Sequence, residues 1–363
     1  MTLNDLSKKS TEETLPWIEK YRPQTLDEVI SHNNIIETLN RFIEKKTLPH
    51  LLFYGPPGSG KTSVIMAAAR ALYGDKMPIM ILEINASEER GIEVVRNRIS
   101  QFVTAKNVFS ENDEATFKLV ILDEADAMTA DAQAILRRVI EKFTKNARFC
   151  LICNYIKKIN IALQSRCTCL RFAPLKTNYI KQKIKTIAQI ENKQVTEDGY
   201  DTIIKRSNGD MRVVLNIFQS AGMAYKLINE KAVNNCLSYP TKEDVKFIVN
   251  TLVKEDFKTN YDTIEKLKTE NGYALADMIT EIHTALLNHA MGNETIIETP
   301  IVPEQVFEIA KHLSDVEFNL ATCTNESLQL ASIIGIVKLV TNKPVIKKKT
   351  IVSKPILKTI KAK

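Results

Sequence analysis

The 363-residue sequence contains no run of about 18 apolar residues, so no segment is suited to cross a bilayer as a helix. Its first stretch, Met1 to Thr14, is polar and lacks the apolar centre of a secretory signal, which points to cytosolic or nuclear residence and reduced thiols. Metal-ligand spacing is missing as well. The six cysteines include Cys150-x-x-Cys153 and Cys167-x-Cys169, but Arg148 to Cys153 reads as a strand, where positions three apart face opposite ways and would not share one ion. The five histidines, His32, His50, His283, His289 and His312, form no H-E-x-x-H or comparable pattern and read as ordinary surface or core residues. No internal repeat occurs. Net charge is lacking over most of the chain too: the +7 is concentrated in residues 341–363, whose eight lysines face no acid, so the remainder sums to −1. Contact with nucleic acid would then rest on a local patch rather than on the net field.

What is present is a phosphate loop. Gly55-Pro56-Pro57-Gly58-Ser59-Gly60-Lys61-Thr62 fits G-x-x-x-x-G-K-[ST] at every specified position. The glycines let successive backbone N–H groups turn inward around phosphate oxygens, and the helix that follows presents its positive end to them. Lys61 is expected to reach the β and γ phosphates, Thr62 to ligate Mg²⁺, and Ser63 to stand beside them at the helix start. An isolated glycine turn would match the loop alone. The apolar strand Leu51 to Tyr54 before it and the apolar helix Ser63 to Leu72 after it supply the context that a nucleoside triphosphate site needs.

A second element completes that site. Phe117 to Leu122 is an apolar run of the kind found in buried parallel strands, and it ends in Asp123-Glu124. Asp123 can hold the Mg²⁺ shell and Glu124 can polarise a water for in-line attack at the γ-phosphorus. Binding alone needs only the first acid, so Glu124 argues for hydrolysis. With Ala125-Asp126 the letters spell the DEAD box of RNA helicases. That reading fails for want of a second recA-like domain with its serine-alanine-threonine and histidine-arginine motifs.

The organisation along the chain is α/β followed by all-α. Strand-like runs at Leu51–Tyr54, Ile79–Ile84, Lys118–Leu122, Phe149–Cys153 and Cys169–Phe172 alternate with amphipathic helices, which predicts a doubly wound parallel sheet over residues 15–175. Helical patterns alone follow: three short ones in a small lid domain at 176–240, broken at Asn208-Gly209 and Gly222, and longer ones such as Leu275 to Leu287 and Glu326 to Leu339 in a collar domain at 241–340. Residues 1–14 are expected to be flexible and 341–363 to form a disordered basic tail.

Leu15-Pro-Trp-Ile-Glu-Lys-Tyr-Arg-Pro23, the phosphate loop, Leu82-Glu-Ile-Asn-Ala-Ser87, Leu122-Asp-Glu-Ala-Asp126, Ser165-Arg-Cys167 and Gly209-Asp-Met-Arg212 occur in this order. The sequence resembles, from about residue 15 to 340, the small subunits of replication factor C, the AAA+ clamp loader of eukaryotes. The resemblance implies ATP and Mg²⁺ as ligands, an ATPase active within a heteropentamer, nuclear residence, and two further partners: a ring-shaped sliding clamp and primer-template DNA. A contrasting reading is a scaffold that binds ATP without turning it over.

The resemblance also assigns roles to single residues. Asn154 matches the first sensor, an amide that holds the lytic water; the lesser alternative is a turn-forming residue. Arg212 matches the second sensor, carried by the lid. Ile18, Arg22, Val29 and Ile30 match the strip around adenine and ribose, although Val29 alone reads as simple packing. Arg166 matches an arginine finger that enters the neighbour's ATP site; by itself it is an exposed charge at a strand end. Arg90, Arg96 and Arg98 match a helix that tracks the DNA backbone, and they read alternatively as a solvated helix face. Arg137 and Arg138 stay open between ion pairing and intersubunit sensing. Departures from the family pattern include Ser59 for threonine, Val213 after Arg212 where a second arginine is usual, Cys169 where a basic residue is typical, and the inserted stretch Ser110 to Thr116.

Overall fold

The computed structural model describes residues 15–29, 31–88, 94–105, 117–292, 301–322 and 325–342, with no side-chain description for 94–96. Ile30, Arg90, the side chain of Arg96, the stretch Ser110 to Thr116, residues 1–14 and the tail from 343 onward therefore lie outside the described residues. The chain divides into two compact units, Met1–Cys236 and Leu237–Lys363.

The first unit is built on five parallel strands: β1 (Leu51–Tyr54), β2 (Ile81–Asn85), β3 (Lys118–Asp123), β4 (Ala147–Cys153) and β5 (Thr168–Arg171). Their spatial order is β2-β3-β4-β1-β5. Side chains alternate between the two faces, as strand geometry requires. Leu51, Phe53, Leu119, Ile121, Cys150 and Ile152 pack with the helices Asn33–Glu44 and Lys61–Tyr73. Leu52, Val120, Leu122, Phe149, Leu151 and Cys153 pack with the helix Ala130–Phe143 on the other face. Helices on both faces make the sheet doubly wound, and Cys150 and Cys153 point to opposite layers. β2 starts two residues later than its apolar run, because Met77–Met80 forms a turn of helix with proline in its first turn.

The lid portion of this unit differs from the sequence pattern in two ways. It holds four helices rather than three, Thr177–Ile190, Glu197–Ser207, Met211–Ala224 and Glu230–Cys236, and a two-stranded parallel pair joins Gln194–Val195 to Leu227–Ile228. Strands of two residues are too short to leave a periodic signal. Asn208, left-handed at φ 50°, does end a helix, but Gly222 lies inside one.

The second unit is all-α, with helices Lys242–Lys254, Phe257–Asn271, Leu275–Ala290, Pro303–Thr322 and Glu326–Thr341. Ile248, Leu252, Ile282, Ile309, Leu313 and Ile334 lie in its core. Thr241 and Asp244 close a capping box at its first helix, satisfying two otherwise unpaired N–H groups. Among the described residues no helix is long and apolar enough to cross a membrane.

Candidate active site

The phosphate loop leaves the carboxyl end of β1 and turns into the helix Lys61–Tyr73. Gly55 has φ 152°, and a β-carbon there would fall 2.1 Å from the Phe172 carbonyl oxygen, so glycine is required. The Ser59 hydroxyl donates to the Pro56 carbonyl at 2.8 Å, holding the loop as a ring. His32 backs it from outside: its Nε2 donates to the Ser59 carbonyl at 3.3 Å, and its ring meets Phe172 edge-on at 4.8 Å. Burial lowers the His32 pKa, which keeps the ring neutral beside the loop.

Lys61 is 7% exposed, and its ammonium donates to the carbonyls of Gly55 and Pro56, each at 2.8 Å, and to Asn154 Oδ1 at 2.9 Å. The lysine and the first-sensor candidate thus touch directly, because β4, which delivers Asn154, runs beside β1. Burial pulls the Lys61 pKa down and the Asp123 carboxylate opposes the shift.

Thr62 donates its hydroxyl to Asp123 Oδ2 at 2.7 Å, and Glu124 donates its backbone N–H to Asp123 Oδ1 at 2.8 Å. Glu124 adopts a left-handed backbone, φ 52° and ψ 39°, a conformation that costs a non-glycine residue about 1 kcal/mol. Both acids line one cavity as a result. The Thr62 hydroxyl and Asp123 carboxylate form a pair of hard oxygen donors, a set suited to a small divalent cation that keeps water in its shell. Among the described residues no cluster of three or more His, Cys, Asp or Glu offers a self-sufficient metal cage.

The cavity measures about 260 Å³. Pro57 to Ser63, Asp123, Glu124 and Asn154 line its sheet side; Ile18, Arg22 and Val29 from the N-terminal strap and Arg212 from the lid also face it. Asp210 caps the Arg212 helix by accepting from the Arg212 N–H at 2.8 Å. Tyr21 and Pro23, members of the Leu15–Pro23 motif that were given no role of their own, line the same space, as do Tyr179, Lys183 and Leu215, which belong to no spaced motif.

Arg166 stands outside this cavity. Its guanidinium is 2.6 Å from Glu141 Oε1 and donates to the Ala162 carbonyl at 2.7 Å. Arg137 Nε lies 3.7 Å from the same Glu141 oxygen, an ion pair without a hydrogen bond. The run from Asn154 to Arg166 is pinned by Gln133, 4% exposed, which accepts from the Asn160 N–H at 2.7 Å and donates to the Lys158 carbonyl at 3.1 Å. Nothing in the sequence marks Gln133; its helix merely carries it to that loop. Arg98 is exposed on the helical turn Val94–Ile99, away from the cavity lining.

Residues 51–175 match the family profile "ATPase family associated with various cellular activities", and residues 240–335 match "Replication factor C C-terminal domain". Human replication factor C subunit 5 is 47% identical over 322 residues, covering 88% of this chain and 91% of the human protein. Replication factor C subunit 3 of Saccharomyces cerevisiae is 41% identical over 337 residues, covering 92% of this chain and 95% of the yeast protein. Among solved structures, a point mutant of Thermotoga maritima RuvB aligns with TM-score 0.50 at 17% identity over 68% of this chain and 85% of that one, a likeness of fold.

Proposed function

The chain belongs to the small subunits of replication factor C, on the branch numbered 5 in animals and 3 in yeasts, and from that membership we propose how its cavity works. It is an AAA+ ATPase subunit of the clamp loader, the multi-subunit assembly that serves DNA replication. The triphosphate is ATP, cradled by Gly55 to Ser63, with its base against Ile18, Arg22 and Val29. Thr62 and Asp123 would hold Mg²⁺, which neutralises phosphate charge when bound. Lys61 and Arg212 bring cationic charge to the transferring phosphoryl group from the sheet and from the lid. Glu124 polarises the attacking water, and the Asn154 amide orients it while bonded to Lys61. Arg166, held at the surface by Glu141, completes the site of an adjoining subunit, a contribution worth about 10³ to 10⁵ in rate in other phosphoryl-transfer enzymes.

The observation that carries this reading is the convergence of Lys61, Thr62, Asp123, Glu124, Asn154 and Arg212 on one cavity. A subunit that only bound nucleotide would need no acid beyond Asp123, so Glu124 at the same cavity favours turnover. Further partners are a sliding clamp and primer-template DNA, the latter through Arg98 with Arg90 and Arg96, and the workplace is the nucleus. Such a DNA contact reads shape, and its strength falls steeply with salt. The deciding experiment is co-purification with the other subunits: a stoichiometric heteropentamer whose ATPase rises with clamp and primed DNA supports the assignment, and Glu124→Gln in it keeps ATP bound while losing turnover at this site. A chain fully active alone, or a Glu124→Gln complex with unchanged turnover, refutes it.

A further inference from the structure

The N-terminal strap that lines the cavity is anchored on two different layers. At its far end Leu26 is buried in the sheet core with Ile35 and Leu39. At its near end Trp17, 6% exposed, is buried against the lid. Its ring meets Phe218 at 5.1 Å, its backbone N–H donates to Gln219 Oε1 at 3.1 Å, and a β-carbon on Gly222 would stand 3.6 Å from the indole. One turn later Lys20 Nζ lies 2.6 Å from Glu191 Oε1, and the Tyr21 hydroxyl donates to that same oxygen. Glu191 caps the carboxyl end of Thr177–Ile190, the lid helix whose Tyr179 and Lys183 face the cavity.

We infer that Glu191 is a positioning residue for nucleotide recognition: by gripping Lys20 and Tyr21 it makes the Ile18–Pro23 stretch part of the lid, so that the base-facing wall of the cavity moves with the lid while the phosphate loop stays with the sheet. This rests on the reading of the cavity as an ATP site. The strap helix Trp17–Lys20 is a single turn, too short to hold its own shape, so the aim of Ile18 and Arg22 depends on what grips the residues beside them. The Lys20–Glu191 pair is well sheltered, with side chains 26% and 19% exposed, and charge-assisted bonds in such surroundings are stronger than surface pairs. Burial pushes the Glu191 carboxyl up, but the bonds from Lys20 and Tyr21 together with nearby Lys193 outweigh it and hold the pKa below its ordinary value, so the grip stays charged. A ligand with a base leans on the strap that Glu191 grips, whereas phosphates alone meet the loop and Arg212, neither of which is bonded to Glu191.

Two ligands separate these cases: ATP, and inorganic tripolyphosphate, which has the phosphates and no base. In the full-length chain with Mg²⁺, Glu191→Gln should weaken ATP about tenfold and Lys20→Met by a smaller factor of about three or more, both leaving tripolyphosphate within about twofold, and the double variant should be no worse than Glu191→Gln alone, since that change already breaks the Lys20 pair. Equal losses for both ligands, or unchanged ATP affinity in Lys20→Met with its thermal midpoint preserved, overturn the inference. A wild-type chain that binds the two ligands equally well also overturns it, by removing the base contact. Failure of the wild-type chain to bind either ligand would instead sink the ATP reading itself.

Discussion

Gly58 and Asp210 meet so closely that a β-carbon on Gly58 would fall 1.8 Å from Asp210 Oδ1 and 2.9 Å from Asp210 Cα. The phosphate loop and the cap of the Arg212 helix are therefore in direct contact, at a glycine whose missing side chain makes the approach possible. Gly58 also has φ 64°, which a side chain would strain.

Gly58→Ala should push the lid off the loop and weaken ATP binding at least about tenfold, because Arg212 is withdrawn while the loop itself is strained. Adding Asp210→Ala should not restore it, since the Asp210 backbone still stands in the way. Calorimetric titration of the wild type and the two variants checks this, and full recovery in the double variant would show that only the carboxylate mattered.

Arg166→Ala in the assembled complex should lower turnover at the adjoining site by about 10³, with nucleotide still retained at this chain's own site. Lysine is not expected to substitute, because it lacks the planar fork that can address two phosphate oxygens together. Single-turnover rates, with the other subunits' sites inactivated in turn, locate the loss. An equal loss at this chain's own site would contradict a role between subunits.

Acid should destabilise the first unit through His50. The imidazole is 9% exposed, its Nδ1 accepts from the Phe149 N–H at 3.2 Å, and burial with help from neighbouring Arg148 pushes its pKa down to about 4. The unfolded chain takes up this proton near pH 6.5 and the folded one only near 4, so the contribution is whole above 6.5 and is lost progressively between 6.5 and 4. The loss amounts to at most about 3 kcal/mol. Urea denaturation of wild type and His50→Gln at pH 7, 5.5 and 4.5 should show a smaller pH slope in the variant.

Thiol reactivity should follow depth. Cys169 is exposed, while Cys150 and Cys153 are buried in β4; burial pushes the Cys153 thiol up to about 12 and raises that of Cys150 as well. In the native protein at pH 8, Ellman's reagent should label Cys169 well before the two β4 thiols, which it reaches only as the chain unfolds. Mass-spectrometric mapping over time distinguishes the order.

Much of the site was legible because its parts are local. The loop from Gly55 to Thr62 and the Asp123-Glu124 pair are short runs whose chemistry lies in their own spacing, whereas Asn154 and Arg212 were singled out only through the family resemblance. The sheet was nearly as plain, β1 and the centres of β3 and β4 being continuous apolar runs, although Glu83 interrupts β2 and Arg171 ends β5. What could not be read depends on partners distant in the chain: His32 beneath Ser59, Gln133 holding Asn160, and Glu191, which meets Lys20 across 171 positions. Such residues carry no motif, and only the folded chain brings them to their work. The two-residue strands of the lid escaped for a different reason, offering too few positions for alternation to appear.

β5 begins two residues after Arg166 and ends one residue before Phe172, whose carbonyl lies under Gly55. A stiff strand of about 13 Å therefore separates the outward arginine from the loop at its other end. With Arg166 acting on a neighbour as proposed, the molecule would have a giving side and a receiving side. Association that joins the arginine of one chain to the loop of the next is head-to-tail, and head-to-tail contacts generate closed rings or open helical turns rather than twofold pairs.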